Sequence, residues 1–188
     1  MPPPRTPEGI IVWLTGLSGS GKTTLAASLR DAIMPMRAVQ VLDGDEIRAY
    51  LSKDLGYSRA DRETNVRRIG FVARLLARHG IVVVVAAISP YISSRDEVQT
   101  LAREEGLEFV EVFVTAPLET LISRDVKGLY RRALAGEVEH FTGISDPYEP
   151  PAAPAVVVRT ANESVHESAA KILEVLIERG VTVNAESI

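Results

Sequence analysis

The chain has 188 residues, 46% of them hydrophobic and 24% charged, with a formal net charge of -4. That is enough chain for one domain with a full core, and the charge argues against wholesale binding to nucleic acid or an anionic membrane. Cysteine is absent, so disulfides and thiolate metal sites are excluded. The apolar runs, about 5 to 8 residues long, are too short to span a bilayer. A cytoplasmic protein is expected, with residues 1–8 as a loose proline-rich tail.

The first apolar run, Ile10-Ile11-Val12-Trp13-Leu14, reads as a buried strand, with Trp13 in the core. It leads into Gly16-Leu17-Ser18-Gly19-Ser20-Gly21-Lys22-Thr23, which fits the phosphate-loop pattern at every fixed position. A helical stretch from Thr24 to Arg30 follows. In such a loop, backbone N–H groups converge on an anion and the helix N-terminus adds positive potential. Gly16, Ser18, Gly19, Ser20, Gly21, Lys22, Thr23 and Thr24 are therefore the candidate residues for binding a nucleotide triphosphate. Lys22 can bridge the outer phosphates, and the Thr23 hydroxyl can hold Mg2+.

A second strand at 38–42 ends in Asp43-Gly44-Asp45-Glu46, whose carboxylates suit a metal or an attacking hydroxyl. Asp43 is the second candidate metal residue, and Arg48 stands one turn further on. Asp-Gly is also a common solvated turn. Ser58 opens the next helix, with Asp61 as box partner. On it Arg62 and Asn65 share the inward face of Val66 and Ile69, suiting them to hold a ligand; an Arg62 pair with Asp61 or Glu63 is the bland alternative.

The run from Ile81 to Ile88 is apolar without alternation, as a strand covered on both faces requires. It leads to Ser89-Pro90-Tyr91, where the residue before proline should be extended and exposed at a crevice. Ser94-Arg95-Asp96-Glu97 and Ser164-Val165-His166-Glu167 both match the capping box. A fourth strand at 109–114 is followed by Pro117, suited to a first helical turn. Arg124, Lys127, Arg131 and Arg132 then suit a lid closing on phosphates. Phe141 is free either to stack on a purine or to anchor its loop. A fifth strand at 155–158 precedes a last helix, expected to bury Val165, Ala169, Ile172, Leu173 and Leu176 and to stop near Gly180. The alternation predicts an α/β domain over 9–180 with a mainly parallel five-stranded sheet, a lid at about 127–150 and a C-terminal tail at 181–188.

Taken together, these stretches resemble the adenylylsulfate kinase family. The likeness runs from about residue 9 to 160 and rests on Gly16 to Thr24, Leu42-Asp43-Gly44-Asp45, Leu55-Gly56-Tyr57-Ser58, Asp61 to Ile69, Ile88-Ser89-Pro90-Tyr91, Arg124 to Tyr130 and Phe141-Thr142-Gly143-Ile144. It implies a P-loop NTPase-type three-layer sandwich that phosphorylates the ribose 3'-hydroxyl of adenylyl sulfate with ATP and Mg2+ in sulfate assimilation. The resemblance further implies that Asp45, Arg48, Tyr57, Arg62, Asn65, Ile88, Ser89, Lys127 and Phe141 hold adenylyl sulfate, with Tyr57 and Phe141 flanking its adenine. Asp45 would orient or deprotonate the hydroxyl, and Lys22 and Lys127 would neutralise the group in flight. Ser89 inherits candidacy as a phosphorylated nucleophile. The resemblance implies a homodimer, and in this family the domain also occurs fused to an ATP sulfurylase. Glu46 departs from the usual Asn, Tyr57 from the usual Phe, and the match is weak at 161–163. Other readings of the motifs are a small-molecule kinase acting on a sugar or shikimate-like acid, and a non-catalytic nucleotide sensor. No guanine-reading Asn-Lys-x-Asp stretch supports a switch GTPase.

Overall fold

In the computed structural model, which describes residues 9–125 and 127–184, strands and helices alternate along the chain. The order is β1 (Ile10–Thr15), α1 (Lys22–Ile33), β2 (Val39–Asp43), α2 (Gly44–Tyr50), α3 (Arg59–Ala77) and β3 (Val82–Ala86). There follow α4 (Ile92–Glu104), β4 (Glu108–Thr115), α5 (Leu118–Arg124), α6 (Leu129–Leu134), β5 (Val156–Arg159) and α7 (Val165–Glu178). The five strands form one sheet in the order β2-β3-β1-β4-β5, and every pairing is parallel. Each crossover carries at least one helix, which is what parallel pairing requires.

β1 lies at the centre with all six residues buried. Its side chains alternate between two cores. Ile10, Val12 and Leu14 pack with Leu25, Leu29 and Ile33 of α1 and with Ile172, Leu173 and Leu176 of α7. Ile11 and Trp13 pack on the other face with Val66, Ile69 and Ala73 of α3 and Val98 of α4. Such two-sided cover accounts for the unbroken apolar run in β3. Trp13 stacks on Phe109 at 5.9 Å. A third cluster, Leu121, Tyr130, Ala133 and Phe141, gives the segment between β4 and β5, which includes the stretch 127–150 expected to be a lid, a small core of its own. Among the described residues, no helix is long and apolar enough to cross a membrane.

Helix starts correct some of the expected caps. The Ser164 box forms with both of its bonds. Ser94 does not cap: α4 begins at Ile92 after Tyr91, and the buried Ser94 hydroxyl donates to the Tyr91 carbonyl. Pro117 is itself the N-cap of α5. Val165 is exposed, because it opens α7 where the helix has not yet reached the sheet. Val181, assigned by sequence to a tail, is buried in the first core, and the Asn184 amide donates to Ala32.

Gly70 is where α3 meets α4. A Cβ there would lie 2.5 Å from Val98 Cγ2. Gly70→Ala should therefore cost about 1–3 kcal/mol through overpacking. The loss is measurable as a Tm lowered by roughly 2–12 °C.

Candidate active site

The carboxyl ends of β2, β3 and β1, which are neighbours in the sheet, deliver three loops to one rim. Residues 16–21 follow β1 and form the phosphate loop. Gly16 has φ 153°, and a Cβ on it would lie 2.0 Å from the Val114 carbonyl oxygen, so only glycine fits beside β4. Gly21, at φ 100°, enters α1 with no side chain capping the helix. The first-turn amides of α1 are thus left to an anion.

Lys22 curls back over this loop. Its Nζ donates to the carbonyls of Gly16 (2.9 Å) and Leu17 (2.7 Å) and to Ser20 Oγ (3.4 Å). Burial pulls its pKa down to about 8, with Asp45 and Asp43 opposing that shift and Lys127 adding to it. Lys22, both aspartates and Lys127 thus share one electrostatic neighbourhood.

Asp43 is the N-cap of α2. One carboxylate oxygen accepts from the Asp45 amide (2.9 Å), and the other accepts from Thr23 Oγ1 (2.8 Å). That pair of hard oxygens beside the phosphate loop fits Mg2+, which binds through one or two protein oxygens and completes its shell with phosphate and water. Among the described residues, no group of three or more acidic or imidazole side chains offers an all-protein cage. Asp45 is exposed and forms an ion pair with the exposed Lys127 from the lid. Glu46 is exposed on the same first turn of α2.

The second half of the site centres on Arg62, which is 8% exposed. Its Nε donates to the Tyr57 carbonyl (2.9 Å), and its Nη2 donates to the His140 carbonyl of the lid. It pairs with neither Asp61 nor Glu63; Glu63 is taken by Arg59. Among the described residues Arg62 has no carboxylate partner within ion-pair distance. Burial and then the nearby Arg48 lower its pKa. The Asn65 side-chain oxygen, one turn along α3, is buried with no hydrogen-bond partner among the described residues. Arg48 lies 4.5 Å and Arg62 5.5 Å from the ring centroid of the exposed Tyr57. A buried cation without an anion, beside an unpaired acceptor and an aromatic face, is poor core and a good receptor for an anionic nucleotide.

Phe141 packs within the segment between β4 and β5. It is 8% exposed and meets Tyr130 edge-on at 5.0 Å. Of the two sequence readings for Phe141, this conformation shows the anchoring one. Ile88 is half-buried, two residues past β3.

Ser89 departs from expectation. It is neither extended nor exposed: φ is 40° and the residue is 3% exposed. Its Oγ accepts from the Trp13 indole (3.0 Å) and donates to Thr15 Oγ1 (3.1 Å). A hydroxyl engaged this way beneath the rim is not presented as a nucleophile. The proline rule for Ser89 was overridden by this network, a tertiary feature that local sequence does not encode. Sequence reasoning also missed Tyr130, whose hydroxyl donates to the Ser18 carbonyl (2.9 Å), and Thr160, whose hydroxyl donates to the Ser20 carbonyl (3.0 Å). Arg124 donates in turn to Thr160 Oγ1 (3.0 Å) and its carbonyl (2.6 Å). The only local signal for Tyr130 was a lone aromatic in a cationic stretch.

Residues 8–159 match the model of the adenylylsulphate kinase family. The adenylyl-sulfate kinase of Myxococcus xanthus (strain DK1622) is 59% identical over 173 residues, 92% of this chain and 94% of that one. A probable bifunctional SAT/APS kinase of Sorangium cellulosum is 54% identical over 92% of this chain, which spans 29% of that longer protein. Among solved structures, the Mycobacterium tuberculosis APS kinase in complex with AMPPNP and APS is similar, with a TM-score of 0.87 and 43% identity over 91% of this chain and 99% of that chain. With a phosphate loop, an acidic turn and a buried guanidinium on one rim, and with these matches along almost its whole described length, the chain belongs to the adenylylsulfate kinase family.

Proposed function

We propose that the chain transfers the terminal phosphoryl group of ATP to the 3'-hydroxyl of adenylyl sulfate, through the residues named below. The observation that carries the reading is Arg62: a buried guanidinium in the first turn of α3 that has no carboxylate partner among the described residues. Two anions then meet at one rim, a polyphosphate on residues 16–24 and a sulfonucleotide on Arg62, Asn65, Arg48 and the Tyr57 ring.

Phosphoryl transfer asks little covalent chemistry of the protein and much positioning and charge stabilisation. Loop amides and the α1 N-terminus hold the donor, and Lys22 swings from loop carbonyls to phosphate oxygens. Mg2+ on Thr23 and Asp43, when bound, neutralises phosphate charge. Asp45 orients the acceptor hydroxyl and takes its proton. Its contact with Lys127 gives the lid lysine a place from which to reach the transferred group. Phe141 reaches the acceptor adenine by a shift of the lid. The buried Ser89 supports direct in-line transfer. A homodimer is the assembly that family resemblance implies, and sedimentation equilibrium at micromolar concentration tests it.

A coupled ADP-release assay offering adenylyl sulfate beside sugar and shikimate-like acceptors tests the reaction. Turnover with adenylyl sulfate alone is expected; turnover only with a non-nucleotide acceptor would overturn it. Lys22→Ala should lower kcat by about 10²–10³-fold with circular dichroism unchanged. Arg62→Ala should raise KM for adenylyl sulfate by roughly 10- to 150-fold, the worth of lost hydrogen bonds to a charged group. ATP affinity should stay within about twofold.

Lys22 also predicts a pH effect. Its depressed pKa of about 8 means that the free protein loses this charge above pH 8. Polyphosphate favours the charged form, so binding raises that pKa and takes up a proton. ATP affinity should therefore fall as pH rises above about 8 and show no Lys22-linked change below it. Calorimetry at pH 6.5 and 9, in buffers of different ionisation enthalpy, should find proton uptake only at the higher pH.

A further inference from the structure

Arg95 is nearly enclosed, at 2% exposed, on the first turn of α4, and no part of the reaction above uses it. Its Nη1 donates to the Ser89 carbonyl (2.6 Å) and its Nη2 to the Glu149 carbonyl (2.8 Å). Its Nε donates to Glu111 of β4 (2.8 Å). The three bonds lead to three different parts of the site: the turn after β3, the returning limb of the lid, and the sheet.

The same joint is fastened by other bonds. The Glu149 amide donates to the Pro90 carbonyl (2.8 Å), and the Glu149 carboxylate accepts from the Ile92 amide (2.8 Å). The Tyr148 hydroxyl meets Thr15 Oγ1 (3.0 Å), which also accepts from Ser89 and donates to the Ile88 carbonyl (2.8 Å). Phe113 stacks on Tyr148 at 5.9 Å. Ser89, at φ 40°, occupies a conformation that a non-glycine residue keeps only where its surroundings over-determine it. A buried planar guanidinium with three fixed bonds supplies that determination, and a lysine cannot reproduce its fork.

We propose that Arg95 is a positioning residue for the acceptor: it locks the Ile88–Ser89 turn to the returning limb of the lid, so that the pocket has one width when adenylyl sulfate enters. The proposal rests on the acceptor reading given above. Arg95 touches no reacting atom and acts through the Ser89 carbonyl and the lid. The donor lies on the phosphate loop, which Arg95 does not touch. Its loss should therefore divide the two substrates.

Two variants test this. Arg95→Lys keeps a cation beside Glu111 but loses the fork. Arg95→Met with Glu111→Leu removes the pair together, so no buried carboxylate is stranded. In both, KM for adenylyl sulfate should rise at least about tenfold while Kd for ATP stays within about twofold. Trp13 is the only tryptophan, and its indole N–H bonds Ser89, so its emission reports the turn directly. That emission should shift in both variants, and amide exchange at 141–150 should speed up. If both Arg95 variants fail to fold, Glu149→Ala, which removes a half-exposed carboxylate from the same joint, should show the same division in milder form. Equal losses for both substrates, an unchanged KM for adenylyl sulfate, or unchanged Trp13 emission would overturn the proposal. Failure of the wild-type protein to turn over adenylyl sulfate would instead defeat the acceptor reading, while emission and exchange would still report whether Arg95 holds the turn.

Discussion

Parallel pairing of β2 with β3 and of β3 with β1 is the constraint on which the site depends. Parallel strands point their carboxyl ends the same way, so every loop that leaves them arrives at one rim. The register brings Asp43 beside Ala86 and Leu14 beside Ala86, which aligns the three exits to within a residue or two. Burial of β1 and β3 on both faces locks that register, because a slip by one residue would exchange the two cores.

On this rim the protein keeps cations in places where burial opposes them. Lys22 sits on loop carbonyls with its pKa pulled down, and Arg62 sits on two carbonyls with no carboxylate partner among the described residues. Carbonyl dipoles satisfy the donors but leave the charge itself unneutralised. Burying a charge without neutralising it is costly, so the proposed polyphosphate and sulfonucleotide would each meet a cation already stripped of water. Buried charge elsewhere is handled differently: Arg95 has Glu111.

Nor is the lid a loose flap. Its small core of Leu121, Tyr130, Ala133 and Phe141 rests against Leu17 of the phosphate loop, and a Cβ on Gly143 would lie 2.8 Å from the Leu17 side chain. Tyr130 adds a hydrogen bond to the same loop, and burial pushes its pKa up to about 12, so it stays a donor at neutral pH. At its far end the lid is tied to the turn after β3. The segment thus touches the phosphate loop through Tyr130 and the turn after β3 through the residues around Glu149.

The phosphate loop, the alternation of strands and helices, and the inward face of Arg62 and Asn65 were all legible in the sequence, because each rests on local spacing: a fixed glycine pattern, a period of two or of 3.6. The Ser164 box was legible for the same reason. The Ser94 box matched the same pattern and failed, since packing of Tyr91 and Ser94 set the start of α4 one turn earlier than the caps suggested. Tertiary contact alone decided that Ser89 turns inward onto Trp13 and Thr15, that Phe141 lies against Tyr130, and that Arg95 is buried across three segments. The bonds of Ser89 to Trp13 and Thr15 and of Arg95 to Glu149 join residues 54 to 76 positions apart, while Arg95–Glu111, Tyr130–Phe141 and Arg95–Ser89 are nearer. No local period encodes a partner so distant; only the folded sheet brings it within reach.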